Sequence, residues 1–221
     1  MPHRPPVALI IGMGPGLSAA LARRFAASGY AIAGFARGPE KSAALAAEFA
    51  EQGRTLDLRA VDADDFDALG AAVGAVDAGV GPIEVLVYNA YSATPALPSQ
   101  LALDALMADF RVNVGGALAA VRAVLPLMQV RGAGTILLTG GGLALDPTGW
   151  PAASSLAIGK AGIRNLAQSL HKELEDTPIR VATVTVTGQI LPGTALSAER
   201  IAERFWDLHT MPAPAPVEVI I

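Results

Sequence analysis

The sequence predicts an α/β domain: a doubly wound parallel sheet of six to seven strands with helices on both faces. Three observations carry this. Apolar runs of four to six residues alternate with longer segments of helical period, which is the order that crossover helices on a parallel sheet require. The runs are near-continuously apolar or β-branched, as strands buried on both faces must be. The turn after the first run, Gly12-Met13-Gly14-Pro15-Gly16, is glycine-rich and opens a helix, so backbone amides and the helix dipole there favour an anion.

Taken in order, Val7–Ile11 is the first strand, followed by a helix over Gly16–Ser28 that closes at Gly29. Ala31–Phe35 is the second strand. Pro39–Glu51 is the second helix, with proline in its first turn and Gly53 past its end, positions those residues favour. Strands Thr55–Leu58 and Ile83–Val87 flank a helix over Asp64–Ala78, and Asp104–Met128 reads as one long helix. Thr135–Thr139 is the fifth strand. The helix over Ala152–Glu175 places Ile163, Leu166, Ala167, Leu170 and Leu174 on one stripe, and Ile179–Val186 is the sixth strand. Ser197–Leu208 is a short helix, Pro212–Pro216 a stiff connector, and Val217–Ile221 a candidate seventh strand. The expected organisation is one nucleotide-binding domain over residues 1–221, with Met1–Pro6 a short loose arm and residues 195–221 a short helix and tail.

A chain of 221 residues buries about 70–75% of its unfolded surface, enough for one core without staples. No run of about 18 uncharged apolar residues marks a membrane span, and the opening residues lack the cleavage site of an export signal. The absence of cysteine excludes disulfides and thiolate chemistry and fits a cytoplasmic protein. A net charge of -4 without a basic cluster argues against nucleic acid as partner. His3, His171 and His209 show no ligand spacing, so no metal is expected and they read as ordinary surface or interface residues.

The segment Ser155-Leu156-Ala157-Ile158-Gly159-Lys160 sets a lysine one turn after a leucine on one helix face. It resembles the catalytic helix of short-chain dehydrogenases/reductases, whose motif is Tyr-x-x-x-Lys, with leucine at the tyrosine position. The Gly12 turn is similar to that family's Gly-x-x-x-Gly-x-Gly: Gly12 and Gly16 match, Ser18 stands for the last glycine, and Met13, Gly14 and Leu17 complete the turn. Tyr88-Asn89-Ala90-Tyr91 resembles the Asn-Asn-Ala-Gly turn beside the cofactor ribose, and Arg111-Val112-Asn113-Val114 the segment bearing a catalytic asparagine. The resemblance covers residues 7 to about 194 and implies a Rossmann-like fold.

It also implies roles. Asp62 would hold the adenine amino group, Asn89 and Ala90 would lie by the ribose, and Lys160 would hydrogen-bond the nicotinamide ribose. Gly188 and Ile190 would lie near the nicotinamide, and Thr194 would reach a phosphate. At the end of the second strand, where an acidic residue would accept bonds from a free ribose hydroxyl, the chain has Ala36 and then Arg37. A guanidinium there pairs with a 2′-phosphate, so NADP is expected over NAD.

Of the family's catalytic set, Asn113 and Lys160 are present. The serine position falls on Leu143 counted from Leu156, or on Gly141 aligned by the strand, with Thr139 the nearby hydroxyl. Tyr91, and behind it Tyr88, are candidate substitute acids, with Asp146 and His209 weaker ones. The expected function is an NADP-dependent oxidoreductase with altered catalytic residues acting on a small carbonyl or alcohol, as a homodimer or homotetramer. The alternatives are a non-redox lyase or isomerase on the same fold, or a dinucleotide-binding sensor.

Overall fold

A computed structural model describes residues 4–221; Met1–His3, with the beginning of the expected arm, lie outside the described residues. Seven parallel strands form one sheet in the order β3-β2-β1-β4-β5-β6-β7. They are β1 Val7–Ile11, β2 Ala31–Ala36, β3 Leu56–Ala60, β4 Ile83–Tyr88, β5 Gly134–Gly141, β6 Ile179–Val186 and β7 Glu218–Ile220. The helices are α1 Leu17–Ala26, α2 Ala43–Glu51, α3 Phe66–Gly79, α4 Leu103–Phe110, α5 Gly116–Arg131, α6 Ser154–Glu173 and α7 Ala198–Thr210.

Successive side chains of a strand face opposite ways, and β1 divides its residues accordingly. Val7, Leu9 and Ile11 enter a core with α3, α5 and α6. Ala8 and Ile10 enter a second core with α1, α2 and α7. Each fully buried aliphatic side chain contributes about 1.5–3 kcal/mol, so burial on both faces is what holds the central strands. The strand order reverses between β1 and β4, and this switch point opens a crevice at the carboxyl ends of the strands.

Several expectations are corrected. Residues 4–6 are not loose: Arg4 donates to the Ala78 carbonyl, and the Pro6 carbonyl accepts from Ala31 at 2.9 Å. β3 is an edge strand, partly exposed along its length, with Arg59 and Asp57 paired at 2.8 Å. Pro39–Ser42 is a 3₁₀ turn leading into α2. The long helix over 104–128 is interrupted by a π turn at Arg111–Gly115. There the buried Tyr88 hydroxyl donates to the Val112 carbonyl, and an extra residue per turn accommodates a carbonyl engaged from outside. The whole run Leu103–Arg131 is long and apolar enough to cross a membrane by length and composition. It carries Arg122, however, and its inner face packs on α3, β4 and β5.

His209 is also not an ordinary surface residue. Its ring lies 5.4–5.8 Å from those of Phe25, Tyr30 and Trp206, and it meets Thr135 Oγ1 at 3.0 Å and the Tyr30 hydroxyl at 2.8 Å. Burial, with the Arg180 charge nearby, pushes its pKa down to about 4. Between pH 6.5 and 4 the unfolded chain therefore binds more protons at this site, so its share of stability is present above about pH 6.5 and is lost as pH falls towards 4. Thermal unfolding followed by circular dichroism is expected to show the melting temperature dropping through that window, with a smaller drop in His209→Gln.

Candidate active site

Between the carboxyl ends of β1, β2, β4, β5 and β6 lies a cavity of about 710 Å³, a size typical of ligand sites. Its floor is the turn from β1 into α1. Gly12 holds φ +89°, and a Cβ there would lie 2.4 Å from the Ala90 amide, so only glycine lets β1 and β4 cross so closely. Ser18 is a strut. Its hydroxyl donates to the Gly12 carbonyl at 2.7 Å and accepts from Asn89 Nδ2 at 2.7 Å. The turn, α1 and the end of β4 are thereby tied together.

Gly14 and Gly16 face open space. α1 has no acidic residue in its first turn and no side-chain cap, and the Leu17 and Ser18 amides have no acceptor among the described residues. Bare glycines and free amides at the start of a helix fit a phosphate. Met13 packs over Gly34 and closes one wall.

At one end the cavity is lined by Arg37, Lys41 and Asp62. Lys41, on the 3₁₀ turn, was not foreseen; the signal for it is its place four residues after Arg37. Asp62 is not the cap of α3, since Asp65 accepts from the Ala68 amide at 3.0 Å; its carboxylate is left to the cavity.

At the other end stand Ala90, Tyr91, Ser92, Thr139, Leu156, Lys160, Gly188 and Ile190. Leu156 and Lys160 share one face of α6. Lys160 is no surface lysine: Nζ donates to the Thr139 carbonyl at 2.8 Å, and burial pushes its pKa down to about 8. Thr139 Oγ1 is buried without a partner among the described residues.

Asn113 does not line the cavity. Its side chain is buried and spent on Ser92, accepting from the Ser92 amide and donating to the Ser92 carbonyl, both at 2.8 Å. Asp109, unremarked in the sequence, completes this clamp. It accepts from the Ser92 hydroxyl and the Thr94 amide, both at 2.6 Å. Burial raises its pKa, but the hydrogen bonds from Ser92, Ser155 and Thr94 outweigh that and hold it below the usual carboxylate range. Ser92, Thr94 and Asp109 left no signal in the sequence because they meet only through the packing of α4 against the loop after β4.

Other candidates fall away from the cavity. Thr194 donates to the Leu191 carbonyl at 2.9 Å in an exposed turn. Tyr88 is turned to Val112 as described, Asp146 accepts from the Thr148 amide at 2.9 Å, and His209 sits in its aromatic cluster. Tyr91 remains at the rim, 63% exposed.

The fold is that of a Rossmann-like α/β protein, with the crevice at the switch point of its sheet. The short chain dehydrogenase family model matches residues 6–202, and the chain belongs to that family. A short chain dehydrogenase of Pseudocercospora fijiensis is 33% identical over 174 residues, covering 78% of this chain and 56% of the relative; the chain thus spans little more than half that relative's length. The sulfoacetaldehyde reductase of Chromohalobacter salexigens is 31% identical over 229 residues, covering 92% and 87%. Among solved structures, a short-chain dehydrogenase from Rhodopseudomonas palustris matches with TM-score 0.88 and 27% identity over 98% of this chain and 97% of that one. A metagenomic short-chain oxidoreductase in complex with NADP matches with TM-score 0.86 and 26% identity over 97% and 96%.

Proposed function

We propose that this protein is an NADP-dependent oxidoreductase of the short-chain type with an altered catalytic set, acting on a small carbonyl or alcohol. The observation that carries this reading is one continuous cavity running from Arg37 and Asp62, past the bare glycines of the α1 turn, to Thr139 and Lys160. The free amides of Leu17 and Ser18 suit the phosphates, Asp62 the adenine amino group, Asn89 and Ala90 the ribose, and Ile190 the carboxamide. Bound there, a reduced dinucleotide supplies a hydride.

The chain's own residues position and exclude. Asn113 and Asp109 fix Ser92 and so set the loop that carries Tyr91; in this reading both are positioning residues. Leu156 and Ile190 present apolar surface to the reacting end, which suits an apolar substrate. A role without turnover is the second reading, favoured by Leu156 alone. Leu103, Met107 and Leu118 on α4 and α5 and Ile158 on α6 are exposed, which supports a homodimer or homotetramer through these helices. Binding of NADPH with carbonyl-dependent oxidation supports the first reading, and binding with no oxidation the second.

Arg37 and Lys41 bring two cations to the end of the cavity next to Asp62, with Glu40 folded against Gly38. A charge-assisted hydrogen bond contributes about 1.5–3 kcal/mol, so Arg37→Asp is expected to weaken NADP binding by about 10–100-fold and to leave NAD binding little changed. Calorimetric titration of both dinucleotides checks this, and tighter NAD binding by the unaltered protein would overturn the preference.

A further inference from the structure

We propose that Lys160 is itself the acid that protonates the substrate oxygen, in the place a phenol at position 156 would take. This rests on the oxidoreductase reading above. Leu156 and Lys160 lie one helical turn apart and both line the cavity, so the leucine leaves Lys160 as the first group with a dissociable proton on that wall. Among the described residues its amino group makes one hydrogen bond, to the Thr139 carbonyl at 2.8 Å. An ammonium has three N–H groups, so two remain for ligands.

A second departure from the family pattern, with the serine position aligned by the strand on Gly141, concerns the same space. A Cβ on Gly141 would come within 3.2 Å of Lys160 Cγ and 3.4 Å of Cδ and Cε. A serine there would press on the lysine stem; glycine lets the stem lie along β5. Losing the phenol and losing the serine thus both clear room around one amine.

The other ionisable groups are occupied or distant. Asp109 on α4 is held by Ser92 and Thr94. Arg111 of the π turn donates to the Asp64 carbonyl, and Arg164 of α6 and Glu218 of β7 pair with each other at 2.8 Å. Arg180 of β6 binds the carbonyls that end α7, and Asp146, past the turn after β5, is bonded to Thr148. Arg37, Lys41 and Asp62 line the adenine end. Tyr91 stands largely in solvent. Burial alone accounts for the lowered lysine pKa, which leaves the amine near the working range of a general acid.

In the step, the Nζ–H bond breaks and an O–H bond forms. The oxygen accepting the proton carries the electron pair displaced from the C=O bond as the carbon receives the hydride that the reduced dinucleotide supplies. Lys160 is left a neutral amine and regains its proton from water.

The chain has three lysines, Lys41, Lys160 and Lys172. In the Lys41→Arg/Lys172→Arg protein carrying ¹³Cε-lysine, the one side-chain signal belongs to Lys160. It is expected to titrate with a midpoint near 8, below the ordinary lysine value. With 4-nitrobenzaldehyde as probe, NADPH oxidation by the unaltered protein should fall as pH rises through the same midpoint. Lys160→Gln should lose rate by about 10²–10⁴-fold at saturating NADPH, with a fluorescence titration of NADPH separating any weakened ribose contact from the lost proton.

An ordinary lysine midpoint overturns the proposal, as does retained turnover in Lys160→Gln, or a rate abolished by Tyr91→Phe but not by Lys160→Gln. If the unaltered protein binds NADPH but reduces no carbonyl, the oxidoreductase reading itself falls, and the proposal with it.

Discussion

Leu156→Tyr is expected to raise NADPH-dependent reduction of 4-nitrobenzaldehyde, but by less than the full contribution of a positioned general acid, about 10²–10⁴-fold, because Lys160 already supplies a proton there. Position 156 lines the cavity one turn before Lys160. A phenol there would point into the space where a substrate oxygen has to sit, and the neighbouring ammonium would lower its pKa. Steady-state rates at saturating NADPH measure the gain, and fluorescence titration of NADPH separates it from a change in cofactor binding. An unchanged rate with cofactor bound would mean that a phenol at position 156 is not what limits the site.

Adding Gly141→Ser tests how the two departures are coupled. Its Cβ needs the Lys160 stem to move by a few tenths of an ångström from a 3.2 Å approach. The two substitutions share Lys160 as a neighbour, so their effects should not add.

What the sequence disclosed and what it hid follow from the range of the interactions involved. The strands of the sheet and the glycine turn were legible because each is set by a short run: VALII is apolar throughout, and Gly12-x-x-x-Gly16 is a local pattern. The break at Arg111–Gly115 was not, because its cause is the hydroxyl of Tyr88 arriving from another strand. Thr194 was placed by its distance from Gly188 along the chain, yet the turn over 191–196 closes on its own hydrogen bonds. Asn113 is expected in the site from its segment alone. Only the packing shows that its amide reaches Ser92 and not the cavity. The partial exposure of the edge strand β3 and the half-buried place of His209 have the same cause: neighbours distant in sequence decide exposure.

The second large effect concerns the floor of the cavity, where two glycines of one turn should behave in opposite ways. Gly12→Ala forces an L side chain into φ +89° and drives its Cβ to 2.4 Å from the Ala90 amide and 2.5 Å from the Ala90 Cα. Both obstacles are backbone, so neither can rotate aside. Positive-φ strain costs about 1–3 kcal/mol, and separating β1 from β4 adds to it. For a domain of this size each kcal/mol lowers the melting temperature by about 2–4 °C, so the strain alone lowers it by about 2–12 °C, with loss of NADP binding.

Gly14→Ala meets nothing within 4 Å and needs no unusual φ. It should leave the melting temperature of the free protein within about 1–2 °C, since a surface substitution of this kind changes stability by less than about 0.5 kcal/mol. Its methyl would stand where the glycine turn is bare, so NADP binding should weaken by 10-fold or more, about 1.4 kcal/mol. Differential scanning fluorimetry with and without NADP measures both. If Gly14→Ala keeps the full thermal shift on adding NADP, the bare face of the turn is not where the phosphates lie; if Gly12→Ala melts normally, the close crossing of β1 and β4 is not what that glycine secures.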